Sequence, residues 1–363
     1  MTFTEVWSAV RPKAADDGDR SALARATIVV LAAALVMTFF FSLASGASDA
    51  SAWRVFLETI GVTSGALEGA DRIVVYGIRF PRAVLGILIG AALAVSGAIM
   101  QGVFRNPLAD PGIVGVSAGA GLGAVSFIVL QGGVLAPVAA LFGIYSIPFA
   151  AFLGGLVSTL VLYRISTRQG RTSVATMLLA GIALGALAGA FTGLLVFWAD
   201  DQQLRDLTFW GLGSLAGATW TKNLMAAPLI LPVILALPLM ARGLNALALG
   251  EASARHLGVD VQRFKNIAIL CVAAATGASV AVSGGIGFVG IVVPHLLRLL
   301  IGPDHRFLLP ASALLGAILL LFADAIARQI VAPAELPIGI VTAAAGAPFF
   351  LWILLRRRGI LDL

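Results

Sequence analysis

The chain has 363 residues, of which 60% are hydrophobic and only 12% charged, and its formal net charge is +6. Soluble domains carry about 25% charged residues, so this composition excludes an ordinary soluble protein and marks a polytopic membrane protein. A single cysteine, Cys271, excludes an internal disulfide framework and any thiolate metal cluster.

Residues 1–21 are polar and charged and predict a cytoplasmic N-terminal arm. The apolar run that follows is too long for a cleavable signal core. Apolar runs broken by turn residues predict an all-α architecture of ten membrane segments, near 22–44, 82–104, 112–130, 134–163, 174–198, 223–241, 265–288, 289–301, 308–330 and 336–355. Residues 22–356 then make one transmembrane domain, and 357–363 a cytoplasmic tail. The 289–301 segment is too short to cross about 30 Å of hydrocarbon, which predicts a half-helix buried among others. With the N-terminus inside, sixteen basic residues fall in inner segments and seven in outer ones, Arg298 being unassigned. That bias predicts both termini in the cytoplasm. The positive charge is therefore inner-face anchoring and gives no sign of nucleic-acid binding.

Inside the second segment the run SGAIMQGVFRNPLADPGIVGVSAGAG, residues 96–121, interrupts oil with Arg105, Asn106, Pro107 and Asp110. Pro107 cannot donate a backbone hydrogen bond and forces a turn. Asn106 can satisfy freed backbone groups, and Asp110 can cap the next helix. A gate and an ordinary cytoplasmic loop both fit. Ser96-Gly97-Ala98-Ile99 precedes Pro107 by eleven residues, and Ser283-Gly284-Gly285-Ile286 precedes Pro294 by the same interval. The two copies run in opposite directions in the expected topology, which predicts an inverted repeat; chance likeness among common membrane residues is the competing reading.

Chemical motifs are scarce. There is no His-Glu-x-x-His or Gly-x-Ser-x-Gly sequence, and His256, His295 and His305 lack metal-ligand spacing. No catalytic residue and no metal site is expected. Asp324 is the one acid well inside a segment, with Arg328 one turn on, which disfavours an ion-coupled carrier. No Walker A sequence is present, so any ATP is hydrolysed by another chain. Residues 242–265 form a basic amphipathic segment on the expected cytoplasmic side. There Leu247, Leu249, Ala254 and Leu257 can make an apolar stripe and Gly258 ends the helix. Such a segment suits docking into a partner's groove or lying on the bilayer.

Four stretches are similar to the permeases of the iron-siderophore, haem and cobalamin uptake family, the type II ABC importers. They are RFPRAVLGILIGAALAVSGAIMQGVFRNPLADPGIVGVSAGAG, LALGEASARHLGV, GGIGFVGIVVPHLLRLLIGPDHR and ELPIGIVTAAAGAPFFLWILL, within residues 72–356. The resemblance implies a homodimer of ten-helix subunits in a bacterial inner membrane, with the path at the dimer axis. It implies two cytoplasmic ATPase subunits and a periplasmic binding protein. It matches Asn106, Pro107 and Leu108 to the cytoplasmic gate, and Leu249, Gly250, Glu251, Ala254, Leu257 and Gly258 to the segment touching the ATPase. Arg79, Arg82 and Arg328, outward-facing exceptions to the charge rule, match positions that receive acidic side chains of the binding protein. Lipid anchoring, or pairing with Asp71 and Asp324, competes with that role.

Residues 197–220, FWADDQQLRDLTFWGLGSLAGATW, resemble the haem branch more than the cobalamin branch, so haem is the expected cargo. A ferric siderophore or cobalamin is the alternative cargo, and any of them would be carried as substrate, with no resident cofactor. Arg205 could meet a carboxylate of haem, although Asp201 and Asp206 are local partners. Trp198, Phe209, Trp210 and Trp220 suit a flat ligand or an interfacial belt. His295 and His305 could contact the iron, or satisfy carbonyls freed beside Pro294.

Overall fold

The computed structural model describes residues 19–46, 52–59, 61–62, 69–168, 171–332 and 334–356. The expected N-terminal arm, apart from its last residues, and the tail 357–363 lie outside the described residues. Each of the ten expected segments carries a helix. Six helices are long and apolar enough to cross a membrane, one bent pair adds a seventh, and three shorter apolar helices complete the set.

The first helix, α1 (Ser21–Ala44), lies at the periphery, with Val29, Val30 and Met37 exposed. At the centre stands α2 (Phe80–Phe104), buried along nearly all its length and entered through a π-helical turn, Ile73–Arg79. Next come α3 (Val116–Leu130), α4 (Ser146–Ser166) and α5 (Val174–Trp198), the last two joined by a small hairpin pairing Thr167 with Thr172. A short amphipathic helix α6 (Asp201–Gly211) follows, opened by a capping box of Asp200 and Gln203. Helices α7 (Trp220–Leu235) and α8 (Leu237–Ala248) are one broken span, bent by 54°. Then come α9 (Glu251–His256), α10 (Val261–Ser283), α11 (Val289–Ile301), α12 (His305–Gln329) and α13 (Ile338–Arg356).

Glycine fixes how closely these helices cross. A Cβ at Gly97 of α2 would collide with the Gly290 carbonyl of α11, and one at Gly90 would meet the Gly316 backbone of α12. Gly119 and Gly123 of α3 likewise touch the backbone of α4 at Gly154 and Ala150. Within a bilayer, water gives helices no reason to cluster, so close backbone packing through small residues supplies the attraction. The half-helix expectation for 289–301 is met by α11, whose 13 residues rise about 20 Å at 1.5 Å each.

The two copies of the expected repeat break at different points. In the first copy the helix runs on to Phe104 and breaks around Pro107. In the second, α10 stops at Ser283 and the break is Gly284–Phe288, while Pro294 lies inside α11. The difference has a local cause: Gly284 has φ +72° and Phe288 φ +67°, left-handed values that end a helix before any proline is reached.

Candidate functional site

Both breaks gather at positions where the backbone must find partners within the protein. After Phe104, Arg105 takes a left-handed conformation (φ 49°), and the Asn106 N–H donates to the Gln101 carbonyl at 3.1 Å. The Asn106 side chain accepts from the Leu108 N–H at 2.9 Å, and Asp110 accepts from the Gly112 N–H at 2.7 Å, capping a 3-10 turn at Pro111–Val114. Asp110 thus caps the element that follows, as its place in the sequence suggests. Asn106 and Pro107 are exposed and Leu108 is half-buried. The 284–288 break is satisfied by the turn after α6, where the Ser214 N–H donates to the Ser283 carbonyl at 2.7 Å.

Pro294 creates a further demand. It has no N–H for the carbonyl four residues back, that of Gly290. Gln101, across the close crossing on α2, donates from Nε2 to that carbonyl at 3.3 Å. Arg298 donates to Gln101 Oε1 at 2.8 Å and so orients the amide. A lone glutamine in an apolar helix gave no signal of this role beyond its position one turn before the break.

His295 and His305 line one cavity of about 490 Å³ with Gln101, Arg105, Pro107 and Arg298, at the Phe104 end of the bundle. Asn245 gives its amide N–H to Asp304 at 2.7 Å and accepts from His305 Nδ1 at 2.9 Å, leaving Nε2 without a partner. Partial burial opposes ionisation of Asp304. Hydrogen bonds from the Arg306 side chain and backbone and from Asn245 outweigh it and hold this carboxyl at about 2. The sequence therefore gathers two of the three expected pathway residues. The third, Arg205, is on α6, exposed and with no ion pair among the described residues, so the competing pairing with Asp201 or Asp206 is not formed. Trp198, Phe209 and Trp220 are exposed and Trp210 half-buried, with Trp220 Nε1 donating to the Tyr76 carbonyl at 3.2 Å.

At the same end, the chain turns between α8 and α9 at Gly250 (φ +103°) and leaves α9 at Gly258 (φ +83°). The expected four-residue apolar stripe is split. Leu247 and Ala254 pack inward with Ala246 and Val261, while Leu249 and Leu257 project outward. The break at Gly250 rotates the two halves, which one continuous helix would not do. Glu251 is engaged with buried Lys265 at 2.6 Å, so its charge is spent inside the chain.

At the opposite end, the outer one in the expected topology, Arg79, Arg82 and Arg328 are buried rather than exposed. Asp324, 1% exposed, accepts from Arg82 at 2.9 Å and from Arg328 at 3.1 Å. Arg82 also binds Glu335 at 2.8 Å. Arg79 donates to the Leu43 carbonyl at 2.9 Å, and Arg328 to the carbonyls of Ser42 and Ser45. The last carbonyls of α1 have no intrahelical partners and carry the negative end of its dipole, so guanidinium groups satisfy both demands there. The pairing of Arg328 with Asp324, one of the two readings its spacing allowed, is the one observed.

Gln101→Leu should therefore destabilise the protein by about 1–3 kcal/mol, because it orphans a buried carbonyl. Pro294→Ala, which restores an N–H to the Gly290 carbonyl, should recover most of that loss. Thermal unfolding of the two single variants and the double variant checks it; additive losses would contradict the patching role.

The FecCD transport family model matches residues 34–356. The hemin transport system permease protein of Yersinia pestis is 51% identical over 281 residues, 77% of this chain and 83% of that protein. The vitamin B12 import system permease protein of Salmonella paratyphi A is 43% identical over 290 residues, 80% of this chain and 86% of that one. The cobalamin import permease of Halobacterium salinarum is 45% identical over 286 residues, covering 79% and 74%. Among solved structures, an inward-facing metal-chelate type ABC transporter matches with TM-score 0.77 and 32% identity, over 91% of this chain and 98% of its own. With this fold and this coverage, the chain is a multi-pass membrane protein that belongs to the FecCD transport family and is a permease of the ABC importer type.

Proposed function

We propose that this chain is the membrane-spanning subunit of an ATP-driven haem importer. The observation that carries the cargo is the 51% identity to a hemin permease over 77% of the chain, against 43% for a vitamin B12 permease. Two copies would enclose the path in a bacterial inner membrane, with both termini in the cytoplasm. Two ATPase subunits would bind the Phe104 end and a periplasmic binding protein the Arg82 end. Asn106, Pro107 and Leu108 would close the path on the cytoplasmic side. Leu249 and Leu257, 68% and 63% exposed on either side of α9, would enter a groove on the ATPase. Gly250 and Gly258 would set their angle, and Glu251 and Ala254 would fasten α9 to the bundle through Lys265 and Val261. Cobalamin is the second reading, favoured by relatives that reach 45% identity.

ATP-dependent uptake into proteoliposomes, with matched ATPase and binding proteins, tests the cargo. Hemin should accumulate at least tenfold faster than cobalamin or a ferric siderophore. Preference for either of those would reject haem. Substitution of His295, His305 or Arg205 then shows whether cargo touches them, through a rise in KM with ATP hydrolysis retained.

Docking of the binding protein at Arg79, Arg82 and Arg328 requires an exchange. Arg82 is 5% exposed, and its outward edge is occupied by Glu335, whose side chain is 39% exposed. An acidic side chain of the partner would have to take the place of Glu335. Glu335→Gln should accordingly speed association several-fold, and added salt should reduce the gain, since charges at a rim act mainly on association rate. Surface-binding kinetics across a salt series measure this. An unchanged rate in Glu335→Gln would reject the exchange, and an unchanged rate in Arg82→Gln as well would reject docking at this cluster.

A further inference from the structure

The cavity at the Phe104 end holds two guanidinium groups, of Arg105 and Arg298, that no described carboxylate pairs with. Arg105, Arg298, His295 and His305 line it beside Gln101 and Leu299, and no acidic residue does. Arg298 gives one hydrogen bond, to the neutral Gln101 amide, and forms no ion pair among the described residues. The Arg105 side chain is exposed and likewise makes no hydrogen bond or ion pair among them. Asp304, the acid nearest in sequence to Arg298, is taken by Arg306 and Asn245. His305 is 4% exposed. Because its Nδ1 donates to Asn245, the neutral ring's Nε2 is a bare acceptor, buried beside Gly102 on the cavity wall. A guanidinium without a counter-charge is costly at membrane depth. An oxyanion would remove that cost.

Depth selects the source. Gln101 lies three residues before the end of α2, and Arg298 three before the end of α11. At 1.5 Å per residue both are about 4.5 Å inside the helix ends, within reach of a lipid headgroup phosphate lying against this end of the bundle. A carboxylate on a folded soluble partner would meet those helix ends first. Leu299, on the cavity wall, continues into an exposed apolar stripe with Leu296 and Leu300, a surface suited to acyl chains.

We propose that this cavity binds a phosphate group, carried by an anionic lipid headgroup or by free phosphate. Arg298 and Arg105 donate to the phosphate oxygens. Basic pockets between membrane helices are known to hold anionic headgroups through this chemistry. The site does not rest on haem being the cargo, although His295 and His305 line the same space.

Native mass spectrometry of the full-length chain, delipidated stepwise in detergent with phosphatidylglycerol or phosphatidylcholine, tests the site. Phosphatidylglycerol should be retained and phosphatidylcholine lost. Arg105→Gln changes an exposed side chain with no partner among the described residues, so the fold should survive while retention weakens about tenfold. Arg298→Gln should abolish retention. Inorganic phosphate that displaces the lipid assigns the site to the shared phosphate chemistry; lipid that resists phosphate assigns it to the headgroup. Three results would overturn the proposal: retention unaltered in both variants, displacement by hemin but not by phosphate, or loss of the ATPase from Arg105→Gln with lipid retention unchanged.

Discussion

The contact of Gly97 with Gly290 decides how the middle of this molecule is built. With no side chain on either residue, α2 and α11 approach until backbone meets backbone. That closeness brings the Gln101 side chain within reach of the Gly290 carbonyl, which Pro294 has left without a donor. A short, proline-containing half-helix is thereby tolerable at membrane depth, where water cannot repair a broken ladder. The cavity bearing Arg298 and His305 opens at the end of the same two helices. Widening the crossing by one methyl group would disturb the amide, the half-helix and the cavity together.

The two ends of the bundle handle charge in opposite ways. At the Arg82 end three guanidinium groups are buried, and they are matched by Asp324, Glu335 and the terminal carbonyls of α1. Removing one partner from such a set is costly, because it leaves buried charge behind. This end is a clamp joining α1, α2 and α12, and any partner that uses its arginines must trade with Glu335. At the Phe104 end, Arg105 and Arg298 have no carboxylate partner among the described residues, Asn106 and Pro107 are exposed, and Leu249 and Leu257 project outward.

The positions of the helices were legible because lipid exposure and burial both demand apolar residues, so runs and their breaks mark the segments. The half-helix at 289–301 was legible from length alone, and the Arg328–Asp324 pair from its spacing of four. What a single run cannot carry is contact between distant residues. Arg82 and Asp324 are 242 positions apart, and charge counting gave Arg82 a side of the membrane but no partner. Gln101 serves Gly290 from 189 positions away. The stripe at 242–258 was misread for a different reason. Helical periodicity holds only while the helix continues, and Gly250 turns Leu249 and Leu257 away from Leu247 and Ala254. Pro294 misled similarly: glycines ended the preceding helix first, and the proline was absorbed by a side chain from another segment.

If the ends of the bundle move while the glycine crossings hold, the break at 105–110 is where closure of a path between two copies must show. Leu108, half-buried at that break, reports on it most directly. The measurement is cross-linking of Leu108→Cys in a Cys271→Ser background, in the assembled transporter, with and without nucleotide. A disulfide requires Cα atoms within about 7 Å, so the account predicts a link between copies in one nucleotide state, little in the other, and transport that stops until reductant is added. A complex that transports normally yet never forms the link in any state would contradict it.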